Sequence, residues 1–244
     1  MAINLRIGSR GPEVKKLQEA LNAKLVPSPK LVPDGSFGNL TLQAVRRFQA
    51  ANWLVVDGEA GQCTQNAAFG TEGYTPILHT VPFLPQQTPS TCWAASTAMM
   101  NRSNEATVIA ITPPDLIASD GGLKNFSNTN DPMTGPGRFA AAHNLTIQAP
   151  TSWPPSSLKS MLQRGPMMLD MLWESGKYAA GKGSPGHMIV VVGIRGDNDA
   201  SGKGTTLRIH DPWAPNVGER YSVGYFKWIQ EVPTRTYHVY QRGS

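Results

Sequence analysis

The sequence predicts an α+β chain: a small three-helix domain, then a larger domain with its helices first and an antiparallel sheet afterwards. Three observations predict it. Amphipathic helical periodicity and Gly-rich turns fill residues 1–70, and a stretch without periodicity, "TEGYTPILHT", follows over 71–80. From Val81 onward, helical and loop-rich segments precede strand-like ones, the order of a domain that gathers helices on one side of a sheet. The boundaries read this way are 1–70, a linker over 71–80, and 81–244.

In the first domain, "GPEVKKLQEALNAKL" carries Pro12 in its first turn and sets Val14, Leu17, Leu21 and Leu25 on one face, which predicts an amphipathic helix. "DGSFGNLTLQAVRRFQAAN" opens on a turn and continues into a second helix, with Leu42, Val45, Phe48 and Gln49 near one face. A short third helix is expected at "TQNAAF". The turn Asp34-Gly35…Gly38 returns as Asp57-Gly58…Gly61. Asp bonds local backbone N–H groups and Gly supplies positive φ, so both are turns with a mechanism.

"LRIGSRGPEVKKLQEAL", "DGSFGNLTLQAVRRFQAAN" and "VDGEAGQCTQNAAF" together resemble the peptidoglycan-binding domain found beside many cell-wall hydrolases, across nearly all of residues 4–70. The resemblance implies peptidoglycan as a partner, with Asp34, Phe37 and Gln49 as its candidate contacts. Gln62-Cys63, after Gly61, departs from the small or proline-like residue usual there, and Cys63 reads as a packing residue.

In the second domain "CWAASTAMMNRS", "TPPDLIASDGG", "DPMTGPGRFAAAHN" and "PPSSLKSMLQRG" read as helical or loop segments. "PMMLDMLW", "HMIVVVGIRG", "TTLRIHDPW", "YFKWIQ" and "TYHVYQ" read as strands. "GDNDASGKG" reads as a hairpin loop between two of them. It is acidic but lacks the downstream Glu of a calcium loop, so no metal is expected there.

Composition excludes several classes. Hydrophobic residues are 40% of 244 and charged ones 16%, a balance that supports a core and argues against disorder. The net charge of +5 is spread out, so no nucleic-acid surface is expected. No apolar run reaches the roughly 18 residues of a membrane span. "MAINLRIGSRG" shows no apolar signal region, and two cysteines make no disulfide framework.

Cys92 lies in "QQTPSTCWAAS", where a proline-bearing loop meets residues at helical spacing. Ser90 or Thr91 is suited to cap that helix. The unpaired N–H groups and positive dipole end of its first turn favour a thiolate over a thiol. A nucleophilic thiol needs a base. Among five histidines, His187 stands out: "GKGSPG" leads to it and "MIVVVGI" follows, so it opens a buried strand beside a loop. Asp211 ends the next strand-like run. In a hairpin the start of one strand lies beside the end of the other, which brings the carboxylate to the imidazole. Alternation sends His210 to the opposite face. A side-chain amide from Gln86 or Gln87, with the backbone N–H of Cys92, would supply an oxyanion hole.

"VPFLPQQTPSTCWAAS", "GHMIVVVGI" and "LRIHDPW" are similar to the papain-like cysteine peptidases, in particular the branch of bacteriocin-processing peptidases and type III effector proteases. "LKSMLQRGPMMLDM" resembles the helix and strand that precede the histidine in that family. The resemblance implies Gln86 as oxyanion donor, Cys92 as nucleophile, His187 as general base and Asp211 as its orienting group, with no cofactor and no metal. The long hairpin between His187 and Asp211 is a departure.

The combined expectation is a cysteine peptidase held at the cell wall, secreted without a visible signal peptide as an antibacterial type VI effector. It would cleave peptidoglycan peptides in the periplasm of a target bacterium, with an immunity protein as partner. The alternatives are a protease acting on protein substrates and an inactive wall-binding scaffold.

Overall fold

The computed structural model describes residues 3–124, 135–148, 153–171, 186–231 and 238–242. Its fold is α+β, as the sequence predicts. The chain divides into two compact units. The first comprises Met1–Pro76, Ile194–Leu207 and Ser222–Phe226; the second comprises Ile77–Gly193, Arg208–Tyr221 and Lys227–Ser244.

The first unit holds helices α1 (Pro12–Lys24), α2 (Asn39–Ala51) and α3 (Gln62–Phe69). Val14, Leu17, Leu21 and Val45 are wholly buried among them, with Phe48 close behind, as the helical spacing requires. The repeated turns are built alike. Gln18 Nε2 donates to Asp34 Oδ1 (3.0 Å), Ser36 O (3.1 Å) and Thr41 Oγ1 (3.2 Å), while Gly35 N donates to Gln18 Oε1 (3.0 Å). Gln49 Nε2 donates to Asp57 Oδ1 (2.7 Å), Glu59 O (2.8 Å) and Thr64 Oγ1 (3.1 Å), while Gly58 N donates to Gln49 Oε1 (2.9 Å). Gly35 (φ 73°) and Gly58 (φ 83°) adopt the left-handed backbone that both turns need. Each buried amide is satisfied by the turn it holds.

The tip of the expected hairpin loop belongs to this unit. Asp197 Oδ2 accepts from Gln62 Nε2 (2.5 Å) and Asn66 Nδ2 (3.0 Å). The Arg195 guanidinium grips the Glu72 carboxylate with two bonds, at 2.7 and 3.0 Å. "GDNDASGKG" is therefore tied to α3 by its first aspartate.

The second unit begins with β1 (Ile77–Leu78), within the expected linker. It continues through α4 (Cys92–Asn101), α5 (Glu105–Ile111), a 3-10 turn (Pro114–Leu116), α6 (Gly135–Ala142), β2 (Leu145–Gln148), α7 (Pro155–Arg164) and β3 (Met167–Met171). Then come β4 (His187–Arg195), β5 (Thr206–Asp211), β6 (Glu219–Gly224), α8 (Tyr225–Glu231) and β7 (Val239–Arg242), with β4, β5, β6 and α8 each contributing residues to the first unit. The strands form a seven-stranded sheet of order β2-β7-β3-β4-β5-β6, and β1 pairs with β4. β3 and β4 are antiparallel with Met171 opposite His187, and β3 and β7 with Met168 opposite Tyr240. Every residue of α4 from Trp93 to Met100 is buried. That explains its run of small and apolar residues: the helix packs on all sides, with Trp93, Met99, Phe139, Met168 and Tyr240 in one core.

Three local expectations differ. "YFKWIQ" is not a strand: Tyr225 and Trp228, three apart, are buried and Phe226 is exposed, so the period is helical. β2 lies among the helices of the front half and pairs with the last strand. His143, which "AHN" after a helical run would place in an exposed turn, is 2% exposed. Parts of "DPMTGPGRFAAAHN", "PMMLDMLW", "GKGSPG" and "TYHVYQ" lie outside the described residues.

Candidate active site

Cys92 is the first residue of α4, in the turn whose backbone N–H groups have no partner within the helix. Thr91 stands at the N-cap position but makes no side-chain cap. Its hydroxyl serves the preceding loop instead, accepting from Thr88 N at 3.1 Å. Trp93, next in the chain, is anchored through Nε1 to Gly121 O at 3.0 Å. Ser96, one turn along, donates to Met188 O at 2.9 Å. That bond holds α4 against the start of β4.

His187 opens β4 and is 3% exposed. Its Nε2 meets Asp211 Oδ1 at 2.7 Å, at the end of the neighbouring strand β5. The same carboxylate oxygen accepts from Trp213 N at 2.9 Å, which fixes its rotamer. The Cys92 thiol lies beside the same imidazole, close enough to raise its pKa. Burial alone pushes this imidazole towards neutrality. The bond from Asp211 and the thiol of Cys92, and the charges of both, outweigh burial and raise its pKa to about 9.

Gln86 is wholly buried, whereas Gln87 is exposed. The Gln86 backbone is stitched to the residues after Asp211: its N–H donates to Pro212 O at 3.0 Å and its carbonyl accepts from Asn216 N at 2.7 Å. One hydrogen of its amide goes to Thr88 O at 2.7 Å, and the amide has a second to give. Gln87 N is fixed by Glu105 Oε1 at 2.9 Å. The structure thus brings Cys92, His187 and Asp211 together and ties the Gln86 backbone to the residues that follow Asp211. His210 is turned away from Asp211, with the ring of Phe83 edge-on at 5.5 Å.

The cleft at Cys92 and His187 offers about 310 Å³. Asp120, Lys124 and Asp170 also line it, and sequence reasoning passed over all three. "DGG" at 120–122 is a visible turn signal, and Asp170 interrupts the apolar run "MMLDM". Among the described residues, no group of three or more His, Cys, Asp or Glu could hold a metal ion.

In the first unit, Phe37 is 1% exposed and packs in the core, and Gln49 is also 1% exposed with its amide spent on the turn. Asp34 accepts from Gln18 and from Ser36 N, which holds its carboxyl below the usual range. These three residues shape the turns. Phe37 and Gln49 present almost no surface. Cys63 is half-buried, and burial raises its pKa.

Comparison with known proteins finds relatives of both parts of the chain. A model of the peptidoglycan binding domain family matches residues 10–67. The N-acetylmuramoyl-L-alanine amidase CwlL of Bacillus licheniformis is 41% identical over 63 residues, which are 26% of this chain and 18% of that relative. Among solved structures, the SleB N-terminal domain is 31% identical over 29% of this chain and 93% of its own, with a TM-score of 0.27. The Burkholderia AP3 phage endolysin is 26% identical over 45% of this chain and 38% of its own, with a TM-score of 0.26. A C39-like peptidase from Bacillus anthracis is 13% identical over 70% of this chain and all of its own, with a TM-score of 0.38. A model of the papain-like cysteine protease AvrRpt2 matches residues 76–231. With more than half of its length under that one model, and a peptidoglycan binding domain ahead of it, the chain belongs to the papain-like cysteine protease AvrRpt2 family of hydrolases.

Proposed function

We propose that this protein is a cell-wall peptidase in which Cys92, His187, Asp211 and Gln86 cleave amide bonds of peptidoglycan peptides. The observation that carries the reading is the imidazole between two groups: His187 bonds Asp211 through Nε2 at 2.7 Å, and the Cys92 thiol beside it also raises its pKa. An imidazolium between a carboxylate and a thiolate is a nucleophile and an acid held ready together.

The Cys92 thiolate attacks the carbonyl carbon, and the oxyanion takes hydrogen bonds from the helix-start N–H and the Gln86 amide. His187 gives its proton to the departing amine nitrogen, leaving a thioester on Cys92. Neutral His187 then takes a proton from water, which attacks the thioester and frees the thiolate. Asp211 orients the ring and stabilises its charged form.

The peptidoglycan-binding domain supports the wall as the place of action, because tethering raises the local concentration of stem peptides. The similarity to an N-acetylmuramoyl-L-alanine amidase points the same way. Delivery as an antibacterial effector, through a contact-dependent route such as type VI secretion, completes the reading. An immunity protein would then guard the producer. The protease family itself favours a second reading, cleavage of proteins in a target cell.

Incubating sacculi and a protein mixture separately with wild type and Cys92→Ala tests both. New soluble muropeptides with wild type alone support wall cleavage; protein fragments without muropeptides replace it with the second reading. Expression directed to the periplasm of a Gram-negative host should lyse it, whereas cytoplasmic expression should not.

A further inference from the structure

Asp170 is an anomaly in β3. Met167, Met168 and Leu169 before it are buried, and a carboxylate in such a run carries a desolvation cost that an apolar residue would avoid. Its placement is fixed from two sides. His238 Nδ1 donates to Oδ2 at 3.3 Å. The other oxygen lies where a Cβ on Gly186 would meet it at 3.3 Å, beside the residue that precedes His187. Glycine at 186 leaves it that room. Oδ1 has no hydrogen-bond partner among the described residues, and Asp170 lines the same cleft as Cys92 and His187.

The other charges of the cleft are committed. Lys124 Nζ donates to Asp115 O at 2.7 Å. Asp120 accepts from Gly122 N at 3.0 Å and from Ser90 Oγ at 3.4 Å. Among the described residues lining the cleft, only Asp170 offers an anionic oxygen that no described neighbour uses, half-shielded from water, where its field is stronger than at a surface.

We propose that Asp170 is the specificity-determining residue of this cleft, selecting substrates with a cationic group, an alkylammonium or a guanidinium, on a residue flanking the scissile bond. The proposal rests on the reading of Cys92 as nucleophile. It names the chemistry of the peptide that the cleft accepts: a diamino acid or another basic residue near the cut.

Two measurements test it. In the first, pairs of quenched fluorescent peptides differ only in lysine against methionine at each position around the cut. Wild type should prefer the lysine peptide by about tenfold in kcat/KM at one position, the scale of a charge-assisted hydrogen bond. D170N should bring that ratio near one, and D170E should keep most of it. A wild type without the preference, or a D170N that retains it, overturns the proposal.

The second measurement does not depend on peptidase activity. Cationic and anionic methanethiosulfonates of similar size are reacted with the protein, and modification at Cys92 is followed by mass spectrometry. The cationic-to-anionic rate ratio should fall several-fold in D170N, or in D170S if D170N does not fold, as expected when a close charge is removed. An unchanged ratio overturns the proposal. If no peptide is cleaved but the ratio falls, the peptidase reading fails and the cation-selective cleft stands.

Discussion

His187, the first residue of β4, and Asp211, the last of β5, meet through Nε2 and Oδ1 at 2.7 Å. Against the burial that lowers it, the bond from Asp211, with the Cys92 thiol beside the ring, raises the pKa of this imidazole to about 9. The proton that His187 must give to the leaving group is therefore held through neutral pH and lost above it. The kcat/KM profile should fall on its alkaline side near pH 9. Asp211→Asn removes the carboxylate charge, so that limb should move to lower pH by about one unit or more. A limb that stays in place would show that Asp211 does not tune His187.

Gln86 and Gln87 are adjacent but differently placed. Gln86 is buried, with its backbone stitched to Pro212 and Asn216, whereas Gln87 is exposed. Gln86→Ala should lower kcat by about a hundredfold with little change in KM, the signature of a lost oxyanion donor. Gln87→Ala should leave both near wild type. Steady-state kinetics of the two variants, side by side, decides which amide serves the hole.

Much of this arrangement is legible in the sequence because it rests on strand ends and helix starts. "GH" before an apolar run and "HDP" after the next run put His187 and Asp211 at adjacent ends once the runs pair. The "DG" repeats and the periods of α1 and α2 likewise reveal the helical module. What escapes is what tertiary contact decides. α8 reads as a strand because Phe226 and Trp228 alternate, yet Tyr225 and Trp228 are the buried pair. β2 is four residues long and gains its identity only from pairing with β7. Asp170 looks like an accident in an apolar strand until Gly186 and His238 are placed around it.

In the helical module, Gln49 ties Asp57, Gly58, Glu59 and Thr64 together through one amide. Gln49→Ala strands several buried groups at once and should cost about 2–4 kcal/mol of stability. Phe37→Ala, which empties a core site, should cost about 3–5 kcal/mol. Both should weaken pull-down on purified sacculi only as far as the module unfolds. Wall binding lost at a temperature where circular dichroism shows the variant folded would instead make these residues direct contacts.

Three buried histidines give stability a maximum between two opposing slopes. Burial holds His143 and His210 near a pKa of about 4, with Arg208 and Arg220 adding to the effect at His210. His143 Nε2 lies 2.7 Å from Thr112 Oγ1, and its Nδ1 is buried without a hydrogen-bond partner among the described residues. A second proton would therefore have no acceptor. The unfolded chain binds those protons from about pH 6.5 downward, so this contribution is present above 6.5 and lost as pH falls towards 4. His187 has the opposite sign. Its pKa is raised to about 9, so its contribution is complete below 6.5 and lost as pH rises through 9. Urea midpoints measured across this range should peak near pH 6.5 and decline on both sides, each histidine contributing on the order of 1–3 kcal/mol at most. His143→Asn should flatten the acid slope and leave the alkaline one, whereas Asp211→Asn should do the reverse. A midpoint that rises steadily from pH 5 to 9 would rule out the raised pKa of His187.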